Sequence, residues 1–143
     1  MTSNTSIVVD SNLVIRLFAY PNSTRYRDLW AEWSAEDVDI SAPRLLLWEV
    51  ANGLWQMERN GIISTSEPER VIEASQSLGI IFADTFADHR AALGYARRFN
   101  LKASYDAHFL ALAERLGCDF WTADKKLVTA VAGQLPWVRL VSD

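Results

Sequence analysis

An α/β fold, built on a central, mostly parallel five-stranded sheet flanked by helices, is predicted by three observations. Short β-branched or aromatic runs alternate with longer segments of helical period along the whole chain. The run Ile7-Val8-Val9 is apolar at every position, as a strand covered on both faces must be. Four carboxylates, Asp10, Glu49, Asp106 and Asp124, are spread over the chain at separations of 39, 57 and 18 residues, and each falls at or near the start or end of an element.

Asp10 ends the first strand. Leu13, Leu17 and Phe18 mark a first helix that Pro21 and Asn22 close. Tyr26, Leu29, Trp30 and Trp33 recur at i, i+3, i+4 and i+7 in a second helix, whose apolar face belongs to the core. A brief strand covers 38–41. Pro43 suits the first turn of a third helix that runs to about Asn60 and stops at Gly61. Residues 66–78 read as a helix with Pro68 near its start, 78–82 as a strand entering a loop at Asp84, and 86–99 as another helix. After a break at 100–104, Tyr105, Phe109, Leu112 and Leu116 form a stripe at i, i+4, i+7 and i+11 that Gly117 closes. A strand at 119–122, a short helix at 124–132 and a last strand at 137–141 complete the chain. Without repeat, low-complexity tract or linker, the 143 residues are read as one domain.

Half of the chain is apolar, which supplies one sizeable core. With 18 acids against 14 bases and a net charge of −4, no global positive field attracts nucleic acid, so a partner of that kind must be held locally. The single cysteine, Cys118, rules out an intrachain disulfide and most zinc frameworks. It reads as a small buried residue with no charge beside it. No apolar run approaches the roughly 20 residues of a membrane span, and a cytoplasmic location is expected.

Parallel α/β sheets place their sites just beyond the C-terminal ends of their strands. Asp10 follows its strand directly, Asp124 lies two residues beyond Thr122, and Asp106 opens a helix. Glu49 sits in the second turn of its helix, about 60° from the centre of a stripe made by Leu46, Val50, Gly53 and Met57, and so faces partly inward. Each acid has an ordinary explanation too: Asp106 and Asp124 suit helix capping, and Glu49 a boundary ion pair. Asp10 does not, because a carboxylate at the end of so apolar a strand is costly to bury without bonds or coordination. Gathered in one pocket, the four would repel one another unless a cation neutralised them.

The segments Asp10-Ser11-Asn12 after a strand, Glu49 in a helix after a proline, Tyr105-Asp106-Ala107 opening a helix and Thr122-Ala123-Asp124 after a strand resemble those of the PIN-domain ribonucleases. Within that family the chain is most similar to VapC-type toxins of toxin–antitoxin pairs, from about residue 7 to residue 141. The resemblance implies a metal-dependent endoribonuclease whose acids are Asp10, Glu49, Asp106 and Asp124, supported by Asn12 and Thr122. It also implies a VapB-like antitoxin as partner, and a homodimer. His108 stands where an aromatic or aliphatic residue is usual and is given no catalytic role.

Carboxylate oxygens and water are hard ligands suited to Mg²⁺ or Mn²⁺. Asp10 and Asp106 are assigned to the principal ion, with Glu49 and Asp124 completing its shell, positioning water or holding a second ion. Lacking a His base or a Ser or Cys nucleophile, the constellation suits water activated by one ion or by two. Arg16, Arg44, Lys102, Lys125 and Lys126, near the inferred edge, are candidate phosphate contacts. The acidic chain suggests selection by RNA shape, with structured RNA such as transfer RNA as the expected class. Trp48 and Trp55 lie opposite the third helix's apolar stripe, so a second face of that helix awaits either neighbouring helices or a protein partner.

Three other readings use the same acids. A receiver-type signalling domain needs a paired acid early and a lysine after a late strand, and neither pattern is clean. A phosphatase with Asp10 as nucleophile wants an acid where Asn12 stands. A catalytically weak PIN-like module would keep the fold and bind RNA or protein.

Overall fold

The computed structural model describes residues 5–20 and 22–142. Five strands, β1 (Ser6–Val9), β2 (Asp39–Ala42), β3 (Ile81–Phe82), β4 (Asp119–Thr122) and β5 (Val138–Leu140), form one sheet in the order β3-β2-β1-β4-β5. Every neighbouring pair is parallel, with Val8 opposite both Ser41 and Phe120. β1 is therefore central, which explains why Val8 and Val9 are wholly buried. The chain moves outward from β1 to β2 and β3, then returns to lay β4 on the other side of β1. The order of the sheet reverses between β1 and β4, where open α/β sheets place their crevice.

Among the described residues seven α-helices cover the sheet: α1 (Ser11–Ala19), α2 (Thr24–Ala35), α3 (Leu45–Arg59), α4 (Glu67–Ser75), α5 (Phe86–Phe99), α6 (Tyr105–Leu116) and α7 (Lys125–Val131). The expected elements are all present, with small shifts at their ends. The helix expected over 66–78 stops at Ser75 and tightens into a 3-10 turn, Gln76–Leu78, that Gly79 closes at φ +65°. That turn consumes the start of the strand expected from 78, leaving β3 only two residues. Pro43 precedes α3 by two residues, its carbonyl accepting from Leu46 N at 3.0 Å, so it leads into the helix from outside the first turn. Pro21, expected to close α1 with Asn22, lies outside the described residues.

The core lies on both faces of the sheet. Phe109 of α6 stacks on Phe120 of β4 at 5.6 Å, both fully buried. Tyr26, Leu29, Trp30 and Trp33 are buried as their spacing predicts, and the Trp30 indole N–H donates to the Leu13 carbonyl at 3.3 Å, satisfying its buried donor. On α3 the buried stripe is Leu46, Val50 and Leu54. Gly53 faces α1 so closely that a Cβ there would meet Ile15 Cδ1 at 2.6 Å. Among the described residues the second face of α3 is left open: Trp48 is 67% and Trp55 52% exposed. Cys118 is half-buried, and contrary to expectation a charge does lie near it, since burial and then Asp119 push its thiol up to about 11. No described helix is long and apolar enough to cross a membrane.

Candidate active site

The acids are brought toward one another at strand ends and helix starts: Asp10 follows β1, Asp124 lies just beyond β4, and Asp106 and Glu49 sit in the first two turns of α6 and α3. Asp10 is 4% exposed and serves as the N-cap of α1. Its Oδ1 accepts from Ser11 N at 2.8 Å, and its Oδ2 accepts from the Thr122 hydroxyl at 2.7 Å and from Asn12 Nδ2 at 3.4 Å. The bond to Thr122 crosses from β1 to β4. Asn12 Oδ1 accepts from Ala123 N at 3.1 Å, and Thr122 Oγ1 accepts from Asp124 N at 3.0 Å. Asn12 and Thr122 therefore tie the two strand ends together around Asp10. Asp124 caps α7 by accepting from Leu127 N at 3.1 Å, as the capping reading expects, and it also lies in the wall of an acidic cavity.

The four carboxylates are linked by mutual repulsion. Burial first, and then Asp106 and Asp124, push Asp10 up to about 6 against the pull of its hydrogen bonds from Thr122 and Ser11. Burial, Asp10 and Asp106 push Glu49 up to about 7. Burial and Asp124 raise Asp106. Glu49 Oε1 is buried and, among the described residues, has no hydrogen-bond partner. Ser11, whose hydroxyl approaches Asp10 Oδ1 at 3.4 Å and favours the ionised form of Glu49, stands between these two acids. Its place immediately after Asp10 was the only sign of this in the sequence. A cavity of about 430 Å³ opens over the group, with Glu49, Asp106, Asp124, Tyr105, Lys102 and Lys126 in its wall.

The donor set suits a hard cation, and the unpartnered Glu49 oxygen fits one. The spacing sets a limit: among the described residues, no three His, Cys, Asp or Glu side chains stand close enough to hold one ion between them. In this arrangement the described residues do not form an all-protein cage of the zinc or calcium kind. Mg²⁺ asks for less, since it keeps several waters and is usually held by one or two carboxylates together with substrate phosphate.

Of the cations expected near the site, Lys102 and Lys126 line the acidic cavity. Arg44 is paired with Asp84, its Nε 3.4 Å from Oδ1, at a neighbouring groove. Arg16 lies in the last turn of α1, where it donates to the Tyr26 hydroxyl at 3.1 Å and packs over the Tyr20 and Tyr26 rings.

Glu49→Gln is expected to stabilise the protein near neutral pH. Between about 4.5, its ordinary value, and about 7, the folded chain holds a proton that the unfolded chain releases, so stability falls as pH rises through that window. The amide removes the penalty. Melting at pH 8 should show a gain of about 1 kcal/mol, reduced from the full shift because the carboxyl is partly solvated, and no gain at pH 4. A loss at pH 8 would mean that the ionised form has a stabilising partner.

A family model described as PIN domain matches residues 7–132 of the chain. The fold is similar to the crystal structure of PAE2754 from Pyrobaculum aerophilum, with a TM-score of 0.66 and 23% identity over 92% of this chain and 90% of that one. It is also similar to a structure described as a toxin–antitoxin complex from Klebsiella pneumoniae, with a TM-score of 0.62 and 19% identity over 95% of this chain and 96% of that one. No curated protein matches the chain significantly.

Proposed function

The chain belongs to the PIN-domain family, and from that premise we propose that it is a metal-dependent endoribonuclease, the cytoplasmic toxin of a VapBC-type toxin–antitoxin pair. The observation that carries the reading is the buried, unpartnered Oε1 of Glu49 beside a cavity where Asp10 and Asp106 raise the pKa of the same carboxyl. Carboxylates crowded in this way, with no ion pair to any of them among the described residues, suit a site completed by a divalent cation and a phosphate.

In this reading Asp10 and Asp106 hold Mg²⁺ or Mn²⁺, and Glu49 and Asp124, too far to join them as direct ligands, complete the shell through retained waters, orient the attacking water or serve a second ion. The bound cation would supply an activated water and neutralise charge developing on the phosphate. Asn12 and Thr122 keep the Asp10 carboxylate in one orientation. Glu49, on the cavity wall, is placed to take the proton of the attacking water once a bound cation offsets the repulsion that raises its carboxyl. Lys102 and Lys126, on the cavity wall, would hold flanking phosphates. A VapB-like antitoxin is the proposed partner, by analogy with the toxin–antitoxin complex of similar fold, and a homodimer the proposed assembly.

A second reading, a catalytically weak module that binds RNA or protein, is favoured by the absence of any three-ligand group among the described residues. On the spacing of the acids alone it is the better supported of the two. Purified protein incubated with total or transfer RNA separates them. The ribonuclease reading expects internal cleavage with Mg²⁺ or Mn²⁺ that EDTA abolishes, a melting temperature raised by the same ions, and arrested growth when the chain is expressed without its antitoxin. Folded protein that binds RNA or a partner yet cuts nothing with either ion establishes the binding module.

A further inference from the structure

Two concavities share the walls of the acidic centre. On α3, Glu49 lines the acidic cavity while its neighbour Trp48 lines a second groove; on α6, Asp106 lines the first and His108, two residues on, the second. The groove encloses about 260 Å³. That is below the roughly 300–1,000 Å³ of sites for drug-sized ligands and suits a single flat ring system.

Its walls combine an open aromatic face with a hydrogen-bonding edge. Trp48 is 67% exposed. His89, also in the wall, meets His108 edge-on, with ring centroids 4.8 Å apart. Its Nδ1 lies 2.9 Å from His108 Nε2, and His108 Nδ1 lies 2.7 Å from the Ser104 carbonyl. A carbonyl only accepts, so His108 carries its proton on Nδ1. In the neutral pair, His108 Nε2 then accepts from His89 Nδ1, which leaves His89 Nε2 as a bare acceptor. Arg44 and Asp84, at the rim, neutralise each other, so the groove itself offers little charge.

We propose that this groove receives one unstacked base of a single-stranded RNA segment whose phosphate lies at the acidic centre. Trp48 is the stacking surface, and His89 Nε2 accepts from an exocyclic amine of the base. The assignment rests on the ribonuclease reading and names the form of its substrate. What points to a base is continuity: Trp48 and Glu49 on α3, and His108 and Asp106 on α6, wall the groove and the acidic cavity side by side, so a base in the groove lies beside a phosphate at the acids. RNA readers take splayed single-stranded bases on exposed aromatic rings, a contact available to any base and independent of charge. Bases paired in an A-form helix are closed to such a groove.

Binding is measured by fluorescence anisotropy with Asp10→Asn protein in Mg²⁺. The probes are labelled single-stranded homopolymers of A, C, G or U, and an abasic ribose-phosphate oligomer of equal length. Trp48→Ala should weaken binding of the base-bearing strands about 5- to 50-fold, as expected for loss of one base–aromatic stack, and leave the abasic oligomer unchanged. Trp48→Phe should restore most of the affinity. Trp55→Ala, at the other exposed Trp of α3, should change nothing. His89→Phe should abolish a preference for A, C and G over U while keeping the stack.

Equal losses for base-bearing and abasic strands overturn the groove assignment, as does an equal loss in Trp55→Ala. A change in oligomeric state on Trp48→Ala without a change in RNA affinity also overturns it, by assigning Trp48 to a protein contact. Should wild-type protein cut RNA under any of these outcomes, the groove fails alone; should it neither cut nor bind RNA, the ribonuclease reading fails with it.

Discussion

Asp10→Asn should lower RNA cleavage on the order of 10²–10³-fold while leaving a folded chain, the scale on which losing one preorganised electrostatic group slows an enzyme. The substitution keeps the shape of the side chain but leaves one acceptor oxygen where two now receive Ser11 N, the Thr122 hydroxyl and Asn12 Nδ2. An amide –NH₂ set against one of those donors costs about 1–3 kcal/mol. Release from the repulsion of Asp106 and Asp124 offsets part of that cost at neutral pH. Initial cleavage rates beside a thermal melt separate the two effects: activity lost with a cooperative melt retained supports the site, and undiminished cleavage would remove Asp10 from the chemistry.

The largest effect on stability is expected from Arg115→Met, away from the acids. Arg115 Nε and Nη2 donate to the two oxygens of Asp88 at 2.8 and 3.0 Å, and Nη2 also donates to the Ala83 carbonyl. Asp88 is 4% exposed and receives Thr85 N at 2.9 Å in a reciprocal capping box that starts α5. Without its partner that carboxylate is a buried charge, and a loss of about 2–4 kcal/mol is expected, toward the lower end because Arg115 itself is 37% exposed. The pH dependence gives the loss a signature. Arg115 holds the Asp88 carboxyl below its ordinary value, so the stabilisation is present above the usual carboxylate range and disappears as pH falls through the depressed value. Denaturant melts should therefore show wild type and variant far apart at pH 7 and converging in strong acid. A constant difference across that range would mean that packing, and not charge, holds α5 to α6.

Much of the fold could be read from local patterns because each depended on near neighbours. Ile7-Val8-Val9 needed burial on two faces, and β1 is the central strand. Gly117 marked the end of α6 and adopts φ +66° there. The Tyr26, Leu29, Trp30, Trp33 face is buried. The failures were equally local in cause: β3 is short because a 3-10 turn and Gly79 compete for its first residues, and no spacing in the chain announces which wins. At the site, Asp10 was the acid that burial made hardest to explain without a role, and it is the one held by the most hydrogen bonds. The His89–His108 pair and the Ser11 hydroxyl went unrecognised because their partners come from different elements or depend on a rotamer.

By itself, then, the sequence determined the elements, their parallel layering and which acids stand at element ends, since these follow from periodicity and from the cost of burying charge. Only the tertiary structure decided how the four carboxylates meet. They share one repulsive field and leave Glu49 Oε1 unpartnered, yet no three of them close around a point, because strand order and helix packing set the directions of side chains that sequence spacing leaves free. The same packing turned Trp48 outward beside Glu49 and set His89 against His108, joining a neutral aromatic groove to an acidic one.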